Sequence, residues 1–486
     1  MHDLLTPERT TTLVFWAVLS ACFYGAGILS AFHCLWNCRT SQGAIAWSLS
    51  LTLFPYLALP AYWVVGRDKF YGFVRKFQSA GFNKRRAEKE LDRLDAHRVY
   101  YSEELKPAQT GFEKLAKSPL TAGNKVELLI DGEATFAEMF KQIEAAQQYV
   151  LVEFFILAGD KLGTRFCDLL SRKAREGVRV YLVYDEFGSF ILPRGHVRKM
   201  RDAGVKTASF SPGSWTKGRL QFNFRQHRKI VVVDGLVALV GGFNVKDDSL
   251  GLNPFYGAWR DTHVVVRGPV VATIQAMFMD DYYWASNGDV PTGMDFTPRP
   301  QADGQEAALY LATGPSDGID SGTLFFIHAI NCARTRVWLS TPYFIPLPPV
   351  MAAFKAAALR GVEVKVIIPL KRDMILTYLA AHSCMPQALQ AGVQIYQYGA
   401  GYLHQKAMLI DDEISWVGSS NLDARSFELN FEGNLVVFGR HFNQQVEEML
   451  TRDLGRSHQT SLAECNSKSF LFKLAVRLGR LFEHVL

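Results

Sequence analysis

The stretch Gln226 to Asn244, QHRKIVVVDGLVALVGGFN, recurs from Leu403 to Asn421 as LHQKAMLIDDEISWVGSSN. Aligned on histidine, His227 meets His404, Lys229 meets Lys406 and Asp234 meets Asp411. Further on, Gly241 meets Gly418 and Asn244 meets Asn421. One such spacing carries little weight, but two that share the glycine and the asparagine are not coincidence. The flanks repeat as well. AREGVRVYLVYD (Ala174 to Asp185) resembles ALRGVEVKVIIP (Ala358 to Pro369), and DAGVKTASF (Asp202 to Phe210) resembles QAGVQIYQY (Gln390 to Tyr398). The separation between copies is that of a whole domain, not of a solenoid unit.

Each copy alternates apolar strands with helices. KVELLIDG, YVLVEFFIL and VRVYLVYD read as strands, and TFAEMFKQIEAAQQ and GTRFCDLLSRKAREG as helices. Strands without polar alternation, separated by helices, indicate an α/β sheet covered on both faces. The expected organisation places one such domain over residues 121–300 and a second over 301–460, related by pseudo-symmetry and sharing one active site.

The repeated residues suit phosphoryl chemistry. Side chains two apart on a strand point to the same face, so His227 projects with Lys229 and His404 with Lys406. Gly241 and Gly418 are expected to let the backbone turn and approach a ligand. Asn244 and Asn421 can donate amide N–H groups without adding charge. If the two sets face each other, two imidazoles, two ammonium groups and two amides enclose a phosphoryl group. A neutral histidine attacks phosphorus, and a protonated one supplies the leaving alkoxide with a proton. The lysines and asparagines stabilise the non-bridging oxygens. No metal or other cofactor is needed for this chemistry, and lysines beside the histidines disfavour a cation site. Each imidazole needs a partner to fix its tautomer. Asp261 in AWRDTHVVV and Glu432 in LNFEGNLVVF, both opening apolar strands, are the candidates. Asp234 and Asp411 belong to the motif but follow their strands at a turn, where holding backbone N–H groups is the expected role.

Two apolar stretches precede the repeats, Leu13 to Trp36 and Gly43 to Val65, neither containing Asp, Glu, Lys or Arg. Each has the length of a membrane-spanning helix, so residues 1–66 are expected to form a two-helix transmembrane hairpin. The segment before Leu13 is not a basic signal-peptide n-region. Arg67, Lys69, Arg75, Lys76, Lys84, Arg85, Arg86 and Lys89 follow. A basic juxtamembrane linker over 67–120 places the domains beyond it on the cytoplasmic side, against anionic headgroups. Residues 461–486 include KSFLFKLAVRLGRLFEHVL, which reads as an amphipathic helix lying at the interface or packed on the domains. The formal net charge of +6 is too modest for a dedicated nucleic-acid binder. Seven scattered cysteines without a CxxC pair point away from a disulfide framework.

The paired motifs resemble the phospholipase D superfamily. With the hairpin and with WRDTHVVVRGP, TGPSD, TPYFIP, SSNLDARS and NFEGNL, nearly the whole chain is similar to the bacterial cardiolipin synthases of the phospholipase D type. The resemblance implies a multi-pass protein of the bacterial inner membrane. It implies transfer of a phosphatidyl group between two phosphatidylglycerols, giving cardiolipin and glycerol through a phosphohistidine. It also implies that His227 is the nucleophile and His404 the acid. Water, serine or phosphatidylethanolamine as acceptor are the alternatives within the same chemistry. A membrane-tethered nuclease is disfavoured by the charge, and an inactive lipid-binding scaffold by the two intact motifs. One departure stands out: Gly242 occupies the position of Ser419, where many family members carry serine in both copies.

Overall fold

Proline punctuates the apolar N-terminal region. The first stretch forms one helix, α1 (Pro7–Asn37), of which Thr10–Asn37 is long and apolar enough to cross a membrane. The second was expected as a single helix. It is two: α2 (Ser41–Leu53), whose N-cap Thr40 accepts the Gly43 N–H, and α3 (Pro55–Val65). The interruption falls at Phe54, because Pro55 has no N–H to give and its ring clashes with the carbonyl one turn back. Cys34, Leu51, Ala58 and Tyr62 form a small buried cluster among these helices.

The computed structural model describes residues 7–38, 40–66, 92–211, 213–214, 219–220 and 223–483. The basic residues from Arg67 to Lys89 lie outside them. The chain divides into two units, Met1–Val74 with Ser211–Phe224, and Arg75–Phe210 with Arg225–Leu486.

The larger unit is built on one mixed sheet. Its first part contains β1 (Thr121–Ile130), β2 (Tyr149–Phe154), β3 (Arg179–Asp185), β4 (Lys206–Phe210), β5 (Arg225–Gln226), β6 (Ile230–Val233), β7 (Val237–Gly241), β8 (Trp259–Arg260) and β9 (Thr262–Arg267). Its second part contains β10 (Glu306–Thr313), β11 (Arg336–Ser340), β12 (Glu363–Pro369), β13 (Gln394–Tyr398), β14 (Tyr402–Leu403), β15 (Ala407–Ile410), β16 (Ile414–Gly418), β17 (Asn430–Phe438) and β18 (Ser457–Thr460). The sheet runs β18-β13-β12-β11-β15-β16-β17-β10-β1-β9-β7-β6-β2-β3-β4. Read outward from the central β10–β1 pair, both directions give the same order of corresponding strands, with β18 added at one edge. The parallel β2, β3 and β4 match the parallel β11, β12 and β13.

Two apolar cores support the sheet. In one, Phe136, Met139, Ile143, Phe166 and Leu170 of the helices Asp131–Ala145 and Lys161–Arg175 meet Val150, Val152, Val180 and Leu182. In the other, Phe325, Phe354, Val364, Val366, Met408 and Trp416 cluster. Near the C-terminus, Leu462–Ser467 and Phe470–Arg480 are helical. The Phe472 ring lies 5.4 Å from that of His382, and a Cβ at Gly479 would stand 2.7 Å from the Leu379 Cβ. Phe470, Leu471 and Leu481 remain exposed. The helix therefore packs by one side and presents apolar residues on another.

Candidate active site

The site forms where two strands change partners. β5 runs parallel to β17, pairing Arg225 with Asn430 and Gln226 with Phe431. The His227 N–H then reaches the Phe431 carbonyl at 2.9 Å, and the chain next enters β6 to pair with β2 and β7. The second copy does the same. β14 runs parallel to β8, the His404 N–H donates to the Arg260 carbonyl at 2.7 Å, and β15 joins β11 and β16. The expectation of a regular strand through His-x-Lys is corrected here: residues 227–229 and 404–406 are the extended links between the short strands. Each link ties one half of the unit to the other.

The carboxylates are exchanged between halves. His227 Nδ1 lies 2.8 Å from Glu432 Oε2, and His404 Nδ1 lies 2.6 Å from Asp261 Oδ2. A carboxylate on Nδ1 fixes that nitrogen as the protonated one and leaves Nε2 for chemistry. Lys229 Nζ donates to the His227 carbonyl at 2.5 Å, and Lys406 Nζ to that of His404. Lys406 Nζ also stands 2.9 Å from His404 Nδ1. The Asn244 Oδ1 accepts the Ile156 N–H at 3.2 Å, which leaves its amide N–H groups as the donors for a ligand. Asn421 is buried, and its own N–H donates to Ser426 Oγ at 3.1 Å.

The two carboxylates differ. Glu432 accepts from Ser419 Oγ at 2.5 Å, Ser426 Oγ at 2.9 Å and Asn430 Nδ2 at 3.2 Å as well as from His227. Burial opposes its charge, yet His227, Lys229 and Ser419 hold it below the usual carboxylate range. Asp261 has the Thr262 N–H at 2.8 Å, and burial pushes it up to about 6. Gly242 explains itself at this point. A Cβ there would stand 2.1 Å from Asp261 Oδ1, where Ser419 in the other copy donates to the longer Glu432.

Burial also governs the cations. It lowers His227 to about 4 against the pull of Glu432, and His404 well below its ordinary value with help from Lys406, Lys246 and Lys229. It brings Lys229 down to about 7 and Lys406 to about 8. An anion placed among these four groups raises the proton affinity of all of them.

Two sets of predicted residues stand elsewhere. Asp234 and Asp411 lie beyond the far ends of β6 and β15, with φ of 54° and 50°. Asp234 accepts the N–H groups of Gln147, Gln148 and Tyr149, and Asp411 those of Arg334, Thr335 and Arg336. The two aspartates of the motif thus hold the turn after each strand to the start of a neighbouring one. Gly241 and Gly418 let neighbouring strands come close. They sit in β7 and β16, where a Cβ would stand 2.5 Å from the carbonyls of Thr262 and Gly433 on the neighbouring strands.

Sequence reasoning missed the layer beneath the histidines. Arg228 is buried, donates to the carbonyls of Glu432 at 3.0 Å and Thr313 at 3.1 Å, and pairs with Asp281. At the matching position Gln405 donates to Asp453 at 2.8 Å, and the cation comes from Arg260, 2.8 Å from the same carboxylate. The available signal was the pair of aspartates, Asp281 and Asp453, each near the end of a helix that follows its motif.

Residues 139–278 and 326–454 match the family model described as "Cardiolipin synthase, PLD-like domain". The chain is 41% identical over 482 residues to "Cardiolipin synthase A" of Pseudomonas entomophila strain L48, covering 97% of this chain and 98% of that one. It is 42% identical over 465 residues to "Cardiolipin synthase A" of Pseudomonas syringae pv. syringae strain B728a, covering 95% and 96%. Among solved structures, a phosphatidylserine synthase from Haemophilus influenzae Rd KW20 superposes with a TM-score of 0.62 at 13% identity. It covers 78% of this chain and 100% of its own, a likeness of fold.

Proposed function

The chain belongs to the cardiolipin synthase family with phospholipase D-like domains, and on that premise we propose how its residues transfer a phosphatidyl group. The protein is a phosphatidyltransferase, a cardiolipin synthase by family. The proposal adds that residues 121–300 and 301–460 act as pseudo-symmetric domains around one shared site, and that phosphatidylglycerol is both donor and acceptor. The observation that carries it is the crosswise pairing of each histidine with a buried carboxylate of the other half, beside two buried lysines.

The His227 Nε2 lone pair attacks phosphorus of the first lipid, and the bond from phosphorus to the glycerol oxygen breaks. His404 gives its Nε2 proton to the departing alkoxide, and glycerol leaves. The hydroxyl of a second phosphatidylglycerol returns a proton to His404 as its oxygen attacks phosphorus. The phosphorus–nitrogen bond breaks, releasing cardiolipin and restoring His227. Lys229, Lys406, Asn244 and Asn421 hold the non-bridging oxygens throughout. Glu432, kept ionised by its donors, stabilises the positive charge that develops on His227. Burial and the neighbouring lysines disfavour the protonated form of His404, and the phosphodiester anion is what lets it take up the proton it later gives.

The N-terminal segment fits lipid substrates. We propose that α1 and the α2–α3 pair both cross the cytoplasmic membrane of a bacterium, leaving the domains on the cytoplasmic side among anionic lipids, with no nucleic-acid partner. Anchoring raises the effective concentration of a site whose reactants are confined to the bilayer.

The test uses purified full-length protein with phosphatidylglycerol in mixed micelles and mass spectrometry of the products. Cardiolipin and glycerol are expected, and phosphatidic acid alone overturns the reading. Labelled phosphate from the donor headgroup is expected to be trapped on the wild-type chain and absent from His227→Ala.

A further inference from the structure

The catalytic cage has two like halves, but the surroundings of its two histidines differ. Nineteen residues after each motif histidine the copies diverge, with Lys246 in the first and Asp423 in the second. Asp423 turns inward and caps the helix Ala424–Glu428, accepting the Ser426 N–H at 2.7 Å. Lys246 makes no cap. Its Nζ lies 4.8 Å over the Trp259 ring, and that ring lies 5.0 Å from the ring of His404. A second ammonium follows the same aromatic wall. Tyr256 stands 5.4 Å from Trp259, and Lys371 Nζ donates to the Tyr256 carbonyl at 3.1 Å.

The reaction has its own asymmetry. In an in-line displacement the leaving group departs opposite the nucleophile, and the acceptor enters by the path the leaving group took. With His227 attacking, that path runs beside His404. An accepting phosphatidylglycerol brings a second phosphodiester, one glycerol beyond the hydroxyl that reacts. Six single bonds of about 1.5 Å separate the two phosphorus atoms, so the second lies within roughly 8 Å of the first. Water, glycerol and other neutral alcohols bring no such charge.

We propose that Lys246, with Lys371 behind it, forms a phosphodiester subsite on the Trp259–Tyr256 wall that selects an anionic lipid as acceptor. The inference rests on the transfer reading above, including the roles of His227 and His404. Trp259 keeps the ammonium desolvated on one side, and Asp248, 2.8 Å from Lys246 Nζ, holds it in place until the phosphate arrives. Two further cations, Arg225 two residues before His227 and Arg425, act on each other. Asp185 is within electrostatic reach of both, and Asp423 and Glu432 of Arg425. They belong to the nucleophile's side of the cage.

The experiment compares two acceptors on one phosphatidyl-enzyme. Full-length protein in phosphatidylglycerol micelles is given labelled glycerol, and cardiolipin formation is measured against incorporation of label into phosphatidylglycerol. Lys246→Gln is expected to lower the ratio of cardiolipin to exchange by roughly 10- to 100-fold, the loss of a hydrogen bond to a charged group. Lys246→Arg is expected to keep the ratio. Asp248→Asn, which breaks the ion pair and leaves the lysine, is expected to keep it as well. An unchanged ratio in Lys246→Gln overturns the subsite. So does a fall in Arg225→Gln that Lys246→Gln does not share, because it moves the acceptor to the side of His227. A parent enzyme that exchanges glycerol but makes no cardiolipin overturns the transfer reading itself.

Discussion

At the scale of the residue, the two histidines are distinguished by their carboxylates. Glu432 is fixed by four donors, and Asp261 by the His404 ring and one backbone N–H. Glu432→Gln is expected to lower the rate of phosphohistidine formation by about 10²- to 10⁴-fold, because the wrong tautomer of His227 is favoured and its positive charge loses its counter-ion. Rapid-quench measurement of glycerol release reads this step directly. Gly242→Ser tests the other side. Its Cβ and Oγ would push Asp261 from His404, which serves both steps, so glycerol release and cardiolipin formation should slow together. Both carboxylates were legible as strand-opening acids beside apolar runs. Their exchange between halves was not, because spacing along a chain says nothing of which strand lies next to which. Gly242 was legible only as a missing hydroxyl, since its reason is a neighbour on another strand.

At the scale of the element, the motif works because it is not a plain strand. Its histidine and lysine stand on a link held by the other half on one side and by its own sheet on the other. Arg228 fastens that link to Glu432, Thr313 and Asp281. Arg228→Ala leaves Asp281 buried and unpaired, so unfolding should become easier by about 3–5 kcal/mol, measured by chemical denaturation in detergent. Asp281→Asn in the same background should recover part of the loss. The parallel strands β2, β3 and β12 were legible from their apolar runs and glycine-closed helices. The partner switch was not, since residues two apart look alike in a strand and in an extended link. The break at Phe54 was written in Pro55, although a proline in an apolar helix does not always interrupt it.

At the scale of the whole molecule, the buried site stores cost in its cations. Lys229 and Lys406 titrate near 7 and 8 when folded and near 10.4 when unfolded. Between those values the unfolded chain binds more protons, so stability rises with pH across the window from about 7 to about 10. Below about 7 the penalty of holding both ammonium groups in a buried cage is fully present. The melting temperature of the detergent-solubilised protein should therefore increase from pH 7 to pH 9, and Lys229→Met with Lys406→Met should flatten that slope. Tungstate, an oxyanion that fits such a cage, should stabilise more at pH 7 than at pH 9.

The crossed carboxylates also decide what counts as the smallest working piece of this protein. A single copy of the motif would hold a histidine whose tautomer nothing sets, and it would lend its own carboxylate to no one. Two copies on separate chains would have to find each other, and their activity would fade on dilution. Joined in one polypeptide, they meet at a concentration no dilution can lower. Each copy is then at liberty to diverge from the other, and the differences at Gly242 and Ser419, and at Lys246 and Asp423, are what that liberty permits.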